Sequence, residues 1–439
     1  MSENIDKGEG LAIAHNDCDA FFASCEQARN PRLKNRPLVT GKERGIIACA
    51  SYEAKALGIK RGVGLYEAKR ICPELIILPS DYETYSIYSK RLFAILRDFT
   101  PSVEEFSIDE AFCDLTGLRR LYRSSYKNIA LEIKSRVKKE LDITVSVGLS
   151  LSKTLAKICS RYRKPDGFMA VPGKNIHTFL KEIPLEMVCG FGPNTVALLQ
   201  KHGINNVFDY IQRPVSFAQK MLGKIGIELW KELRGESVYR VSIEPKEKYL
   251  SISKTKTFTP PSCDKEFVKA QLMRNLESAF IKLRRHRLSA KNLGIYLRSS
   301  DFYGSGSEAG LNRHSSSTLD FTEICSGLFE RLFDKNISYR ATGVTLSGIV
   351  TEGIDRRDLF DDPVKIEHIE DLSKAVDRIN EIHGKYAVHL ASSDAVIAKG
   401  ERTHREEVNP RSCLPQRKSE LLKGETFRKR LGIPLLKLN

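Results

Sequence analysis

Two kinds of hydrophobic pattern alternate along the first 170 residues and together predict an α/β region. The apolar run LAIA leads into HND at residues 11–17, and DITVSVGLS at 142–150 alternates apolar and polar residues, which is typical of a half-buried strand. GIIACAS at 45–51 predicts another strand, followed by a helix from about Tyr52 to Leu57. Residues 82–99 have helical periodicity, and VEEFSIDEAFCDLT at 103–116 predicts two short strands with a bend near Asp109.

The pattern changes after residue 171. Residues 172–235 predict small helices and tight turns, in which CGFGPNTVALLQKHGI (189–204) resembles a phosphate-binding helix-hairpin-helix element, an ordinary helical packing unit being the alternative. Residues 236–250 predict an exposed charged linker. The pattern then predicts a helix over about 265–287, two strands at 291–299 and 343–350, a helix ended by Gly384 and an extension over 400–439. The apolar face of the first of these helices is predicted to contain Val268, Leu272, Leu276, Ala279 and Leu283.

Composition narrows the class of protein. The 439 residues carry 71 Lys and Arg against 55 Asp and Glu, a net charge of +16, which suits a polyanionic partner. Residues 245–300 alone hold thirteen basic and four acidic side chains, so we predict a phosphate-facing surface there. No apolar stretch approaches the roughly 20 residues of a membrane span, and the N-terminus lacks a secretory signal. Ten cysteines without CxxC pairs indicate reduced thiols. We therefore expect a cytoplasmic, nucleic-acid-binding protein with no membrane partner.

Four carboxylates are the candidate chemistry. Asp17, Asp19, Asp109 and Glu110 lie in apolar or small-residue contexts, where a charge is costly unless it is paired or bound to a metal. Magnesium prefers such hard oxygen ligands, and two ions about 4 Å apart can promote phosphoryl transfer. Adjacent residues of a straight strand point to opposite faces, so Asp109 and Glu110 can share an ion only at a bend. Each motif alone is weak, because such pairs are common in surface loops.

Four blocks of sequence carry a family resemblance. HNDCDAFFASCE (15–26), ASYEAKALGIKRG (50–62), SIDEAFCDLTG (107–117) and VGLSLSKTLAKICSRYRKPDG (147–167) resemble, in order and spacing, a Y-family translesion DNA polymerase. The resemblance extends over roughly residues 10–350 and leaves the UmuC-like and polymerase IV-like branches open. It implies an α/β multidomain, right-hand polymerase. Its implied parts are a palm (1–23 and 80–171), small fingers (24–79), a helical thumb (172–235), a linker (236–247), an α/β little finger (248–350) and a C-terminal extension (351–439).

The resemblance also implies site residues. Asp17, Asp109 and Glu110 would bind two Mg²⁺ ions, with the backbone carbonyl of Cys18 completing one site, whereas Asp19 would be structural. Phe22 matches the steric gate that excludes the 2′-hydroxyl of ribonucleotides, while Phe21 is expected in the core.

Three further residues match the triphosphate-binding positions of the family, namely Tyr52, Lys55 and Lys164. Lys55 stands where family members often have arginine, and lysine keeps the charge but loses the bidentate fork. Tyr52 and Lys55 are three residues apart, on one helical face.

The implied activity is template-directed, low-fidelity addition of dNTPs to a primer during translesion synthesis. The implied partners are primed DNA, dNTP, a sliding clamp and, for a UmuC-like protein, an accessory UmuD-like dimer. RRDLF at 356–360 is a candidate clamp motif through Leu359 and Phe360, and the terminal IPLLKLN is a second one. Two alternatives remain: an inactive DNA-binding homologue acting as a scaffold, which the intact acids disfavour, and another palm-type nucleotidyl-transfer enzyme, which the basic second domain disfavours.

Overall fold

A computed structural model describes residues 11–243, 249–352, 362–383 and 386–397. The chain divides into two compact units, which meet in sequence after Pro245. The candidate clamp motif with Leu359 and Phe360, Gly384, and the C-terminal residues from 398 onward, including IPLLKLN, lie outside the described residues. No helix within the described ranges is both long enough and apolar enough to cross a membrane.

The first unit contains helices and strands that form three main hydrophobic cores. In chain order they are β1 (Ile13–Cys18), α1 (Phe21–Arg29), β2 (Leu38–Thr40), β3 (Cys49–Ala50), α2 (Tyr52–Ala56), α3 (Leu65–Ile71), β4 (Ile76–Leu78), α4 (Tyr82–Phe99), β5 (Val103–Glu105), β6 (Glu110–Asp114), α5 (Leu118–Tyr122), α6 (Tyr126–Leu141), β7 (Val145–Ser150), α7 (Lys153–Tyr162), β8 (Phe168–Ala170), α8 (Ile176–Leu180), α9 (Pro193–Lys201), α10 (Val207–Gln212) and α11 (Val215–Leu233).

A five-stranded sheet in the order β5-β6-β1-β7-β8 forms the centre of this unit. Strand β1 is antiparallel to both β6 and β7, so it lies in the middle of the sheet. Helices α4 and α6 cover one face with apolar side chains such as Leu92, Leu96, Ile129 and Ile133. Helix α7 packs against β1 and β7 on the other face. The predicted helix over 82–99 and the two short strands around Asp109 are therefore confirmed.

The prediction of a half-buried strand at 142–150 is wrong, because every residue of β7 is buried. The burial of its apolar residues agrees with the prediction: Val145, Val147 and Leu149 belong to the main core of this unit, together with residues of α4 and α6. Its polar side is also covered, because helix α7 packs there and the hydroxyls of Ser146 and Ser150 bond to protein acceptors. Gly148 makes this approach possible: a Cβ atom there would overlap the carbonyl oxygen of Ala156 and the amide nitrogen of Ser160.

A second, three-stranded sheet in the order β3-β2-β4 has its own small core with α2 and α3. The strand predicted at 45–51 is shorter than expected, because only Cys49–Ala50 pairs with β2 as a strand. The residue before it, Ala48, donates to the Thr40 carbonyl, while Ile46 forms an isolated bridge with Gly64. The chain therefore turns here instead of continuing a ladder. Helices α8 to α11 form a third core together with α7. Helices α8 to α10 are short, as predicted, whereas α11 spans 19 residues and has a kink at Gly223.

The second unit is an antiparallel sheet covered by helices. Its elements are β9 (Ser251–Ser262), α12 (Lys265–Arg285), β10 (Leu288–Ser299), β11 (Gly304–Ser315), α13 (Thr322–Leu332), β12 (Tyr339–Ser347), β13 (Val350–Thr351) and α14 (Pro363–His383). The main sheet has the order β11-β10-β12-β9. The predicted apolar face of α12 is confirmed, since its five residues are fully buried. Part of the basic surface is neutralised within the unit, because Arg284 pairs with Asp377 of α14 and Lys265 pairs with Glu330.

Candidate active site

Three of the predicted acidic residues converge where β1 and β6 run side by side. Asp17 is the cross-strand partner of Glu110, and the amide of Cys18 donates to the carbonyl oxygen of Asp109 at 2.9 Å. One ligand atom from each of His15, Asp17 and Glu110 lies within 4.8 Å of the others, the kind of cluster that can hold a metal ion. Two segments about ninety residues apart in sequence thus meet at one point because their strands are neighbours.

A tight turn supplies the bend between Asp109 and Glu110. The amides of Phe106 and Ser107 both donate to the carbonyl oxygen of Glu110 at 3.1 Å, which reverses the chain just before β6 begins. The Ser107 hydroxyl then donates to the Asp109 carboxylate. The turn therefore holds the two adjacent acids at the start of one strand, beside β1.

Two lysines of the segment 153–164 already place positive charge on these carboxylates. Lys164 donates to Oδ1 of Asp17, and Lys157 donates to Oε2 of Glu110 at 2.5 Å. Within the described part of the chain, the second oxygen of each acid makes no hydrogen bond: Oδ2 of Asp17, Oδ2 of Asp109 and Oε1 of Glu110. The carboxylates of Asp17 and Glu110 lie together in the cluster, each with one oxygen fixed and one available, which fits a hard divalent cation. The Asp109 carboxylate is not part of that cluster; its backbone is adjacent through Cys18, and its side chain is held by Ser107.

Burial and ion pairing act differently on the two acids that contact lysine. Burial raises the pKa of Asp17, and the ion pair with Lys164 only partly offsets it. For Glu110, burial also raises the pKa, but the close contacts with His15 and Lys157 outweigh it and hold the pKa at about 2. Glu110 is therefore ionised throughout the physiological range and available as a cation ligand.

Asp19 lies near the cluster but is engaged elsewhere. It is 1% exposed, and its two oxygens accept from the Ser146 hydroxyl and from the Asp166 amide, both at 2.8 Å. These bonds tie the end of β1 to β7 and to the turn that carries Lys164. The contacts agree with the structural role expected for Asp19.

The two phenylalanines after Asp19 occupy different environments. Phe21 is 3% exposed and belongs to the main core, as expected. Phe22 is only partly buried, and its ring stacks on Tyr85, with ring centroids 4.5 Å apart and planes inclined by 13°. Tyr85 is fully buried, and its hydroxyl donates to Glu26 at 2.8 Å. Phe22 therefore has a flat ring that is partly exposed on one side and rigidly backed on the other.

Helix α2 brings Tyr52 and Lys55 together. The Lys55 ammonium lies 4.2 Å from the centre of the Tyr52 ring, and Lys55 is exposed. Burial and the negative charges of Asp19 and Asp17 raise the pKa of Tyr52, so its hydroxyl stays protonated and can donate a hydrogen bond. The two side chains offer a donor and a cation on the same side of one short helix.

Three residues of the site were not predicted from the sequence: His15, Ser107 and Lys157. His15 is two residues before Asp17, so the two-residue period of a strand would have placed both side chains on one face. Ser107 and Lys157 lie inside the quoted blocks of sequence. No spacing rule connects Lys157 to Glu110, which is 47 residues away and meets it only through the packing of α7.

The chain is similar to known proteins over most of its length. Residues 16–161 match the impB/mucB/samB family, and residues 250–359 match the C-terminal domain of the same family. DNA polymerase IV of Moorella thermoacetica is 33% identical, with 86% of this chain and 94% of that protein covered. DNA polymerase IV of Bacillus velezensis is 31% identical, with 90% and 95% covered. A solved chimeric Y-family DNA polymerase superposes with a TM-score of 0.67 at 25% identity, covering 78% of this chain and all of that one.

Proposed function

The chain belongs to the bacterial Y family of DNA polymerases, and from this premise we propose that Asp17, Asp109 and Glu110 bind two Mg²⁺ ions at the end of β1 for nucleotidyl transfer. As a member of that family it is a DNA-directed DNA polymerase of the translesion class, which uses a divalent metal, a primed template and dNTPs. The observation that supports the ligand set is the pairing of Asp17 with Glu110 across β1 and β6, with Asp109 next to them along the chain, each acid having one oxygen held by the protein and one available. The backbone carbonyl of Cys18 completes one of the two sites in this proposal.

In this proposal the metal ions and the protein side chains have different roles. When bound, the two ions would lower the pKa of the primer 3′-hydroxyl and neutralise the phosphates. The protein holds the ligands: the turn at Phe106–Glu110 fixes Asp109 and Glu110 to one another, and the β1–β6 register fixes them to Asp17. Lys164 and Lys157 balance the charge of the acids while no cation is present.

Phe22 selects the sugar in this proposal. Phe22 follows Asp17 by five residues at the start of α1, and its ring has Tyr85 stacked behind it and Tyr82 against its edge. A ring backed in this way cannot retreat from an added 2′-hydroxyl, so the pocket accepts a deoxyribose and excludes a ribose.

The triphosphate is bound by Tyr52, Lys55 and Lys164. The Tyr52 hydroxyl can donate, and the two ammonium groups supply charge. Lys164 contacts Asp17 directly, so it can exchange this carboxylate for a phosphate once a cation takes its place.

Replacing Lys55 by alanine is expected to raise KM for dNTP by about 10-fold or more, since a hydrogen bond to a charged group contributes about 1.5–3 kcal/mol. The turnover number should change much less, because Lys55 touches the phosphates and not the reacting bond. Steady-state single-nucleotide insertion measures both constants. Lys60→Ala, which removes another exposed lysine of the same region, is the matched control. Equal KM values for the two variants would remove Lys55 from the triphosphate site.

Primer extension by the purified full-length protein tests the proposed function. With Mg²⁺, we expect insertion on an undamaged primed template and extension past an abasic site. DNA binding without any insertion would favour the inactive scaffold instead. Extension that appears only after a UmuD-like dimer is added would assign the chain to a UmuC-like system. Extension by the chain without that dimer would make the partner unnecessary.

We propose the sliding clamp as a further partner, through Leu359 and Phe360 of RRDLF. Clamp-binding pentapeptides resemble QLxLF. The Leu-Phe anchor of this pattern is present in RRDLF, although arginine replaces both the glutamine and the first leucine. A Leu359→Ala/Phe360→Ala variant should lose clamp-stimulated processivity while keeping its activity without clamp. Unchanged stimulation would exclude this motif and leave the terminal IPLLKLN to be tested.

A further inference from the structure

A buried histidine lies directly behind the proposed metal ligands. His15 is 0% exposed, sits in β1 two residues before Asp17, and has its Nε2 atom 3.1 Å from Oε2 of Glu110. Its ring also contacts Phe112, with centroids 4.5 Å apart. The contact of Nε2 with Glu110 is within hydrogen-bond distance but outside hydrogen-bond geometry, so Nε2 has no hydrogen-bond partner among the described residues. An unsatisfied buried nitrogen costs free energy, and the Glu110 carboxylate is the acceptor nearest to hand.

The second ring nitrogen is held from helix α7. Nδ1 of His15 lies 2.7 Å from the Ser160 hydroxyl. The cross-strand partner of His15 is Gly148, and the absence of a side chain there lets α7 approach the sheet closely enough for this contact. The Ser160 hydroxyl also lies 2.9 Å from the carbonyl oxygen of Lys157, so its one proton can point to either acceptor. When it points to Nδ1, which is the nearer of the two, the ring proton of a neutral histidine is on Nε2, on the side of Glu110.

The contacts on Glu110 are unequal. Oε2 accepts a hydrogen bond from Lys157 and lies 3.1 Å from Nε2 of His15, whereas Oε1 has no hydrogen-bond partner among the residues that the structure describes. Lysine reaches Oε2 on a flexible stem, and a glutamate side chain has three rotatable bonds. The enclosed imidazole is the one rigid group among these contacts, so it can fix the orientation of the carboxylate.

We propose that His15, supported by Ser160, is a positioning residue that holds Oε2 of Glu110 so that Oε1 is presented to the divalent cation. This inference rests on the proposed function, since it assumes that Glu110 is a metal ligand. Groups that orient metal ligands through hydrogen bonds commonly change metal affinity about 10–100-fold when they are replaced.

The rival reading makes His15 itself a ligand, because its nitrogen belongs to the same cluster. The geometry disfavours this reading: Nε2 faces Glu110 and Nδ1 faces Ser160, so neither nitrogen points away from the protein. Magnesium also prefers oxygen to nitrogen ligands.

The test is Mn²⁺ binding to the full-length protein on a primed duplex, followed by electron paramagnetic resonance. His15→Phe keeps an aromatic ring beside Phe112 but removes both nitrogens, and we expect Mn²⁺ affinity to fall about 10-fold or more. His15→Gln, whose amide can donate to Glu110, should retain most of the wild-type affinity. Wild-type affinity in His15→Phe, or an equal loss in both variants, would overturn the proposal.

Further measurements separate the possible failures. Thermal unfolding shows whether His15→Phe is folded. If it is not, Ser160→Ala supplies the test, and we expect it to lose Mn²⁺ affinity by a smaller factor. Unchanged Mn²⁺ affinity in Ser160→Ala would contradict the proposal. Electron spin-echo modulation from a directly bound ¹⁴N nucleus would make His15 a ligand and would also overturn it. If the wild-type protein itself bound no Mn²⁺, the proposed function would fail first, which is a distinct outcome.

Discussion

Replacing Asp109 by asparagine and Glu110 by glutamine together should lower the rate of primer extension by at least about 10³-fold. The substitutions keep the size of both side chains but remove two of the three negative charges that are proposed to hold the cations. Metal ions contribute several kcal/mol of transition-state stabilisation in phosphoryl transfer, and each 1.36 kcal/mol corresponds to a factor of ten in rate. Single-turnover insertion of one nucleotide, at saturating dNTP and Mg²⁺, measures the effect.

Affinity for primed duplex separates catalysis from binding in this variant. Binding depends on the basic surface, so the double variant should bind the duplex about as well as the wild-type protein at the same salt concentration. Glu105→Gln is the matched control, because Glu105 lies on the neighbouring strand β5, half exposed, and pairs with Arg97. Near-normal extension by the double variant would show that catalysis does not depend on these acids.

Replacing Phe22 by alanine should admit ribonucleotides, with the preference for dNTP over rNTP falling by about 100-fold or more. The reason is steric: the rigid stack on Tyr85 leaves the Phe22 ring in place, and removing the ring opens the space that a 2′-hydroxyl requires. A pocket contact of this kind controls the ratio of kcat/KM between two substrates. Competing dNTP and rNTP insertions on one primed template measure that ratio.

The neighbouring phenylalanine gives the control for this prediction. Phe21→Leu alters a side chain that is 3% exposed in the main core, so it should lower thermal stability and leave sugar selection unchanged. If the preference for dNTP over rNTP changed in Phe21→Leu but not in Phe22→Ala, the steric gate would be Phe21 and the proposal for Phe22 would be wrong. Phe22→Tyr should keep the ring and therefore the selectivity.

The hydrophobic pattern predicted local elements better than it predicted their surroundings. Helix α4 begins and ends at Tyr82 and Phe99, within the predicted range, because its apolar period is long and regular. Strand β7 was predicted as half buried, since its polar residues alternate with apolar ones. Those polar residues are covered by α7 and bonded to partners distant in sequence, which no local pattern encodes.

The sequence likewise predicted only part of the candidate active site. Asp17, Asp109 and Glu110 could be singled out because carboxylates beside buried strands demand an explanation, and the family resemblance joined them. His15 and Lys157 could not, because a histidine in an apolar strand and a lysine on a helix are ordinary features by themselves. Their meaning depends on the approach of α7 to β1, which in turn depends on Gly148.

Diffraction from crystals of the full chain with primed duplex, incoming dNTP and Mn²⁺ would test the central claim most directly. Anomalous scattering locates manganese without reference to its ligands. The account predicts two peaks, each within about 2.5 Å of the available carboxylate oxygens of Asp17, Asp109 and Glu110. Manganese bound only to the triphosphate, or no peak beside these three acids, would contradict it.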